Sequence, residues 1–281
     1  MLVNAKDMLT KAFKGKYAIP QFNINNLEWT KYILEECDNL DSPVILGVSE
    51  GAIKYMGGYK TVFKLVEGLI SDLKIKIPVV LHLDHGSSVE SCKKAIDNGF
   101  TSVMIDASKY ELGKNIQITK EVKEYACLHN VTVEAEIGHI GEVGNKREKE
   151  DLYASVDYCK KIKNETNIDF LAPALGSVHG LYKGKPKLDF KRMKEIKEAI
   201  NIPLVLHGGT GIFDYQIKKA IDNGIAKINI NTELQVAWNE KVRCYLKENK
   251  DVYDPRKIIG SGQFAIKEKI REKIILFRNG Q

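Results

Sequence analysis

Eight short apolar runs, rich in valine and isoleucine, recur along the chain with helical patterns between them. They fall near residues 17–22, 43–48, 78–83, 101–106, 131–137, 168–174, 202–207 and 225–230. The runs are continuous rather than alternating, as strands buried on both faces of a parallel sheet must be. Eight such strands joined by helical crossovers predict an α/β fold, the (β/α)8 TIM barrel. An open doubly wound sheet is the alternative. No glycine-rich dinucleotide fingerprint follows the first run, which counts against it. The 281 residues then make one barrel domain, 1–281, with 241–281 as a helical C-terminal extension.

An internal repeat supports closure. Ile-Pro-Val-Val-Leu-His at 77–82 leads through a glycine turn into Lys-Lys-Ala-Ile-Asp-Asn-Gly and another strand. Ile-Pro-Leu-Val-Leu-His at 202–207 does the same, at a constant offset. These are strands three–four and seven–eight, half a barrel apart. Short strand–helix units also converge by physics alone, so the repeat supports the barrel without proving it. Ser87 and Glu90 predict a capping box, with Gly99 closing that helix. Asp214 predicts an N-cap for the helix that ends at Gly224. The last forty residues read as two helices around Asp254-Pro255-Arg256.

Composition excludes several classes. No run of about 18 apolar residues exists, so no membrane-spanning helix is expected, and no secretory signal is visible. Five cysteines, scattered and never close-spaced, argue against a disulfide framework or a cysteine-type zinc site. A reducing cytoplasm is the simplest setting. The net charge of +6 comes from interspersed Lys and Glu on solvated helix faces. No basic stripe interleaved with aromatics is present, so nucleic acid is not the expected partner. A small anionic substrate suits the charge equally well.

In such barrels the chemistry sits at the C-terminal ends of the strands. Those ends carry Asn23, Ser49 and Glu50, Asp84 and His85, Asp106, Glu134 and Glu136, His179, His207, and Asn229 and Asn231. A single histidine there would be read as a satisfied polar group near a loop. Three of them, His85, His179 and His207, follow different strands. Three imidazoles with an open fourth position make a catalytic zinc site, and Asp106 and Glu136 can add ligands or orient the rings. The repeat aligns His82 with His207, so spacing alone leaves His82 and His85 both open. His129 and His139 read as surface residues. The turn His207-Gly208-Gly209-Thr210-Gly211 and the segment Asn229-Ile230-Asn231-Thr232 follow strands seven and eight. Loops there often bind phosphate through backbone N–H groups and a helix N-terminus.

At these residues the chain resembles class II fructose-bisphosphate aldolase, a zinc-dependent glycolytic enzyme with a (β/α)8 barrel. The segments are Gln21-Phe22-Asn23-Ile24-Asn25-Asn26, Val48-Ser49-Glu50-Gly51-Ala52, Leu81-His82-Leu83-Asp84-His85-Gly86, Val133-Glu134-Ala135-Glu136, Gly176-Ser177-Val178-His179-Gly180, the two phosphate segments and Tyr253-Asp254-Pro255-Arg256. The resemblance implies that His85, His179 and His207 bind Zn2+, with Asp106 and Glu136 around an alternative metal position. It implies that Asp84 handles the C4 hydroxyl proton. Gly180, Gly208, Thr210, Asn229, Asn231 and Thr232 match the site for dihydroxyacetone phosphate, with Asn23 and Gly209 beside them. Ser49 matches a contact to the far phosphate, and Arg256 an arginine that reaches it across a dimer interface. Some members bind a monovalent cation (Na+ or K+) at backbone oxygens near Val178, Gly180 and Gly208. The implied reaction is reversible cleavage of a sugar bisphosphate into triose phosphates through an enediolate, in a cytoplasmic homodimer or homotetramer.

Two departures stand out. After strand five, family members carry a glycine-rich run with an acid that abstracts the proton. Here Glu142 is the acid near that place, displaced from it, and His139 is the other candidate. Gly47 replaces a glutamine common in other members. A lysine Schiff base would need a buried lysine at a strand end; Lys227 begins strand eight, at the opposite end. Three rivals remain. Tagatose-bisphosphate aldolase shares the chemistry, but Asn231 and the unbroken 208–211 turn look more like the fructose type. A metal-dependent hydrolase would not need Arg256. A non-enzymatic binding protein on this scaffold would be indifferent to zinc.

Overall fold

The computed structural model describes residues 1–138, 140, 153–180, 182 and 184–280. Glu142 and His139 lie outside the described residues. The chain begins α1 (Lys6–Gly15), β1 (Ile19–Asn23), α2 (Leu27–Asn39), β2 (Val44–Ser49), α3 (Glu50–Tyr55) and α4 (Tyr59–Asp72). It continues β3 (Val79–Gly86), α5 (Val89–Asp97), β4 (Ser102–Ile105), α6 (Leu112–Leu128), β5 (Thr132–Ile137) and α7 (Val156–Thr166). Then come β6 (Phe170–Pro173), α8 (Phe190–Ile200), β7 (Leu204–Leu206), α9 (Asp214–Asp222) and β8 (Ile225–Ile230). The helices α10 (Thr232–Glu248), α11 (Pro255–Gly260) and α12 (Gln263–Phe277) follow.

Every predicted run overlaps a strand, and β1, β2 and β3 extend past the predicted ends. The strands pair in parallel in chain order, and β8 returns to β1, so the sheet is a closed barrel. Consecutive strand residues serve two cores. Ile45 and Val80 point into the barrel with Ile19, Phe170 and Val205, where Met8, Leu9 and Ala12 of α1 join them. Their neighbours Leu46, Val79 and Leu81 pack outward against the helices. Burial on both faces is why these strands read as unbroken apolar runs. Among the described residues no helix is long and apolar enough to cross a membrane.

After strand eight the described chain has three helices, not two. The last, α12, packs on α2, α9, α10 and β1. It thereby fills the gap in the outer ring between α9 and α2. Ile266, Ile270, Ile274 and Phe277 bury its inner face, and the Ala18 amide donates to the Phe277 carbonyl at 2.9 Å. Lys267 pairs with Glu35 at 2.7 Å and Arg271 with Glu36 at 2.6 Å.

Two predicted caps move. Ser88, not Ser87, caps α5, its Oγ accepting from Ser91 N at 3.1 Å. Ser87 is drawn away by Glu50, to which its N–H and Oγ donate at 2.8 and 2.9 Å. Glu90 faces Lys94 at 2.6 Å instead of closing a box. Asp214 is the first residue of α9 rather than its cap; Phe213 takes that position with no side-chain bond. An acid in the first turn still favours the helix through its dipole.

Candidate active site

The strand ends converge at one mouth of the barrel. Between Leu83 and Gly86 the β3–β4 register shifts, and His85 sits in the left-handed region at φ 53°. The irregularity lets two neighbouring side chains, Asp84 and His85, line the same cavity; regular alternation would send one outward. A non-glycine residue held at positive φ is strained, and such strain concentrates at functional positions. His179 follows β6 in a loop and His207 directly follows β7.

The three imidazoles meet. His85, His179 and His207 each offer a nitrogen, and these atoms all lie within 4.8 Å of one another. His207 Nδ1 is 3.0 Å from His85 Nε2. A second group of the same kind joins His85, Asp106 and Glu136, with His85 Nδ1 3.0 Å from Asp106 Oδ2 and 3.9 Å from Glu136 Oε2. His207 turns its other nitrogen, Nε2, to Glu134 Oε1 at 2.7 Å. That bond directs Nδ1 toward the other two rings, the usual way a carboxylate orients a metal-binding histidine. Lys227 Nζ in turn lies 2.7 Å from Glu134 Oε2, and all three side chains are fully buried.

Charge follows this packing. Burial pushes the His179 pKa down to about 3, and the other two imidazoles push the same way. Burial also lowers His207. Both rings are therefore neutral at pH 7, with lone pairs free for a cation. His85 goes the other way, to about 9: burial opposes its charge, but Asp106, Asp84 and Glu136 outweigh it. Burial would raise Asp84, yet the His85 and His207 rings and Lys227 hold it well below the usual carboxylate range. Glu136 is driven up to about 8 by burial and by Asp106. Its Oε1 accepts from Ile140 N at 2.9 Å, while Oε2 has no hydrogen-bond partner among the described residues. Two neutral imidazoles, a third among carboxylates, and a buried oxygen without a hydrogen bond form a donor set that fits a divalent cation.

Asp84 and the glycine turns flank the histidines in a cavity of about 330 Å³. Asp84 Oδ2 accepts from Asn23 Nδ2 at 2.7 Å, and Asn229 Nδ2 lies 3.5 Å from Oδ1. Gly208, at φ 65°, crosses the β6 loop so closely that a Cβ there would collide with the Val178 carbonyl. The Tyr182 hydroxyl ties the two loops, accepting from Val178 N at 3.0 Å and donating to Gly208 O at 3.2 Å.

Comparison with known proteins fixes the family. A fructose-bisphosphate aldolase of Geobacillus stearothermophilus is 55% identical over 274 residues, 97% of this chain and 96% of that one. One of Staphylococcus epidermidis matches at the same identity and coverage. The crystal structure of the YdjI aldolase from Escherichia coli K12 superposes with a TM-score of 0.85 at 34% identity, covering 99% of this chain and 97% of that chain. The class II fructose-bisphosphate aldolase family model matches residues 3–281. This chain belongs to that family.

A class II fructose-bisphosphate aldolase is a lyase that acts on sugar phosphates, and most of the remaining expected residues lie at the cavity. Ser49, Gly180, Thr210, Asn231 and Thr232 line the cavity. Ser49 Oγ also caps α3, accepting from Ala52 N at 3.2 Å. Gly209 lies against Ile228, its N–H donating to Asn229 O at 3.2 Å. Arg256 is not brought to the cavity: its side chain is 90% exposed and pairs with Asp254 at 2.9 Å. His82 is fully buried, with Nδ1 2.8 Å from Ser102 Oγ and Nε2 3.6 Å from Glu134 Oε2, and belongs to neither group that could hold a metal ion. Lys227 is not at the opposite end of the barrel. It is the third residue of β8, inside the barrel, with its ammonium committed to Glu134. Gly47 is accounted for by its neighbour: the Gln21 side chain fills the space a Cβ at 47 would need. In the sequence Glu134 reads only as a polar residue near a strand end, without a role. The signal was its two-residue spacing from Glu136, which puts both on the inner face of β5.

Proposed function

We propose that this aldolase cleaves fructose 1,6-bisphosphate reversibly to dihydroxyacetone phosphate and glyceraldehyde 3-phosphate, with zinc held by His85, His179 and His207. The carrying observation is that three histidine nitrogens from the ends of separate strands and their loops converge beside Asp84 and a glycine turn in one cavity. Zinc there would supply Lewis-acid polarisation of the substrate's ketone and hydroxyl oxygens. Asp106 and Glu136 offer the cation an alternative position next to His85.

The chain's own groups do the rest. Asp84 is ionised and oriented by Asn23, so it can take the C4 hydroxyl proton in cleavage and return it in condensation. Gly180, Gly208, Gly209 and Thr210, with Asn229, Asn231 and Thr232, receive the dihydroxyacetone phosphate end; the turn's backbone N–H groups at Gly208 and Thr210 and the N-terminus of α10 suit an anion. Gripping the phosphate fixes the reacting carbon against the histidines. Ser49 meets the far phosphate. Arg256, solvent-facing on its own subunit, serves the site of a neighbour in a homodimer or homotetramer. Glu142 abstracts the proton from the triose carbon. Backbone oxygens near Val178, Gly180 and Gly208 take a monovalent cation. Five free cysteines favour a cytoplasmic setting.

The test measures cleavage and bound zinc together. His207→Ala is expected to lose both. Asp84→Ala is expected to keep zinc and lose turnover. Full activity in zinc-free His207→Ala protein overturns the assignment, and faster turnover of tagatose 1,6-bisphosphate overturns the substrate.

A further inference from the structure

Glu233 is the second residue of α10, directly after Asn231 and Thr232, which line the cavity. Its carboxylate turns away from the cavity. Oε1 accepts from the Gly211 N–H at 2.7 Å, and Oε2 lies 2.6 Å from the Lys273 ammonium. Both side chains are largely buried, Lys273 at 10% exposure and Glu233 at 17%. Gly211 is held at φ 77° and follows Thr210, itself almost wholly buried at the cavity wall. A continuous polar path therefore runs from α12, in the outer ring, to the turn at the top of β7.

Seating α12 does not require this pair. Its apolar face is buried, and Lys267–Glu35 and Arg271–Glu36 already fasten it to α2. Taking an ammonium out of water is costly, and an apolar residue would hold the helix as well. The ammonium has two effects that an apolar residue lacks. It fixes the carboxylate as a charged acceptor for Gly211 N–H, which orients the peptide plane between Thr210 and Gly211. It also neutralises a negative charge that would otherwise stand beside an incoming phosphate.

We propose that Lys273 and Glu233 are positioning residues that brace the Gly208–Gly211 turn from the last helix and set its affinity for the substrate's phosphate. This rests on the reading that the turn receives phosphate. Neither residue touches the substrate.

The experiment uses the zinc-loaded enzyme. It measures KM and kcat for fructose 1,6-bisphosphate, and calorimetric binding of dihydroxyacetone phosphate. Lys273→Met should raise KM and weaken triose phosphate binding about tenfold, with kcat within about twofold and zinc content unchanged. Lys273→Arg should restore most of the affinity. Lys273→Met combined with Glu233→Gln should bind better than Lys273→Met alone, because the bare carboxylate is gone. Lys267→Met, which breaks an ion pair on the same helix, should leave KM near wild type. Equal KM changes in Lys267→Met and Lys273→Met, or a fall in kcat alone, overturn the proposal. Thr210→Val separates the two readings. If it weakens triose phosphate binding and Lys273→Met does not, the brace alone fails. If Thr210→Val leaves binding intact, the phosphate reading of the turn fails and the brace falls with it.

Discussion

The Lys227 ammonium and the Glu134 carboxylate meet at 2.7 Å inside the barrel, with both side chains fully shielded from water. Glu134 is held low, to about 2; burial opposes its charge, but Lys227 and His207 more than offset this. Removing one partner of such a pair strands the other. Lys227→Met is expected to destabilise the protein by about 3–5 kcal/mol. Lys227→Met with Glu134→Gln should recover part of that loss, read as the shift in urea unfolding midpoint. Equal stability of the single and double variants would show that the pair is uncoupled.

Glu136 makes the metal-free protein sensitive to pH. Its folded pKa is raised from 4.5 to about 8 by burial and by Asp106. The folded chain therefore keeps a proton that the unfolded chain releases above pH 4.5. That contribution is complete below about pH 4.5 and is lost as pH rises through about 8. In chelator-treated samples, the stability of wild type relative to Glu136→Gln should fall steadily across this window. A flat difference would mean that Glu136 titrates normally.

Gly208→Ala should disturb the β6 and β7 loops together. The added Cβ meets the Val178 carbonyl, and φ 65° is itself unfavourable for alanine. A stability loss of roughly 1–3 kcal/mol is expected. Tyr182→Phe removes only the hydroxyl clasp between the same loops and should cost about 1 kcal/mol. Thermal unfolding of the two variants checks the order.

The thiols should react in two classes. Cys37, Cys92 and Cys159 are buried, and Cys127 and Cys244 are exposed. Burial pushes the Cys159 thiol up to about 12 and raises Cys37 and Cys92 as well. A thiol reagent should label two sites in native protein and all five after unfolding.

The barrel was legible because burial on both strand faces leaves an unbroken apolar signature, and eight of them can close. The histidines at 85, 179 and 207 were legible because each lies at the C-terminal end of a strand or in the loop that follows it. The choice between His82 and His85 was not, since it depends on the β3 irregularity, which no local residue pattern announces. Ser87 and Ser88 are equally good caps on paper; Glu50, thirty-seven residues earlier, decides between them. Lys227 was misplaced because its partner Glu134 is 93 residues away in sequence. Gln21 explains Gly47 only once β1 and β2 lie side by side.

The seat of α12 between α9 and α2 has a consequence for how the molecule is made. The outer face of β1, the earliest strand of the barrel, is covered by residues 263–277, which follow all eight strands in the chain. A nascent chain can pair its strands but keeps that seam greasy and bare until α12 has emerged, which marks it as the surface a chaperone would guard.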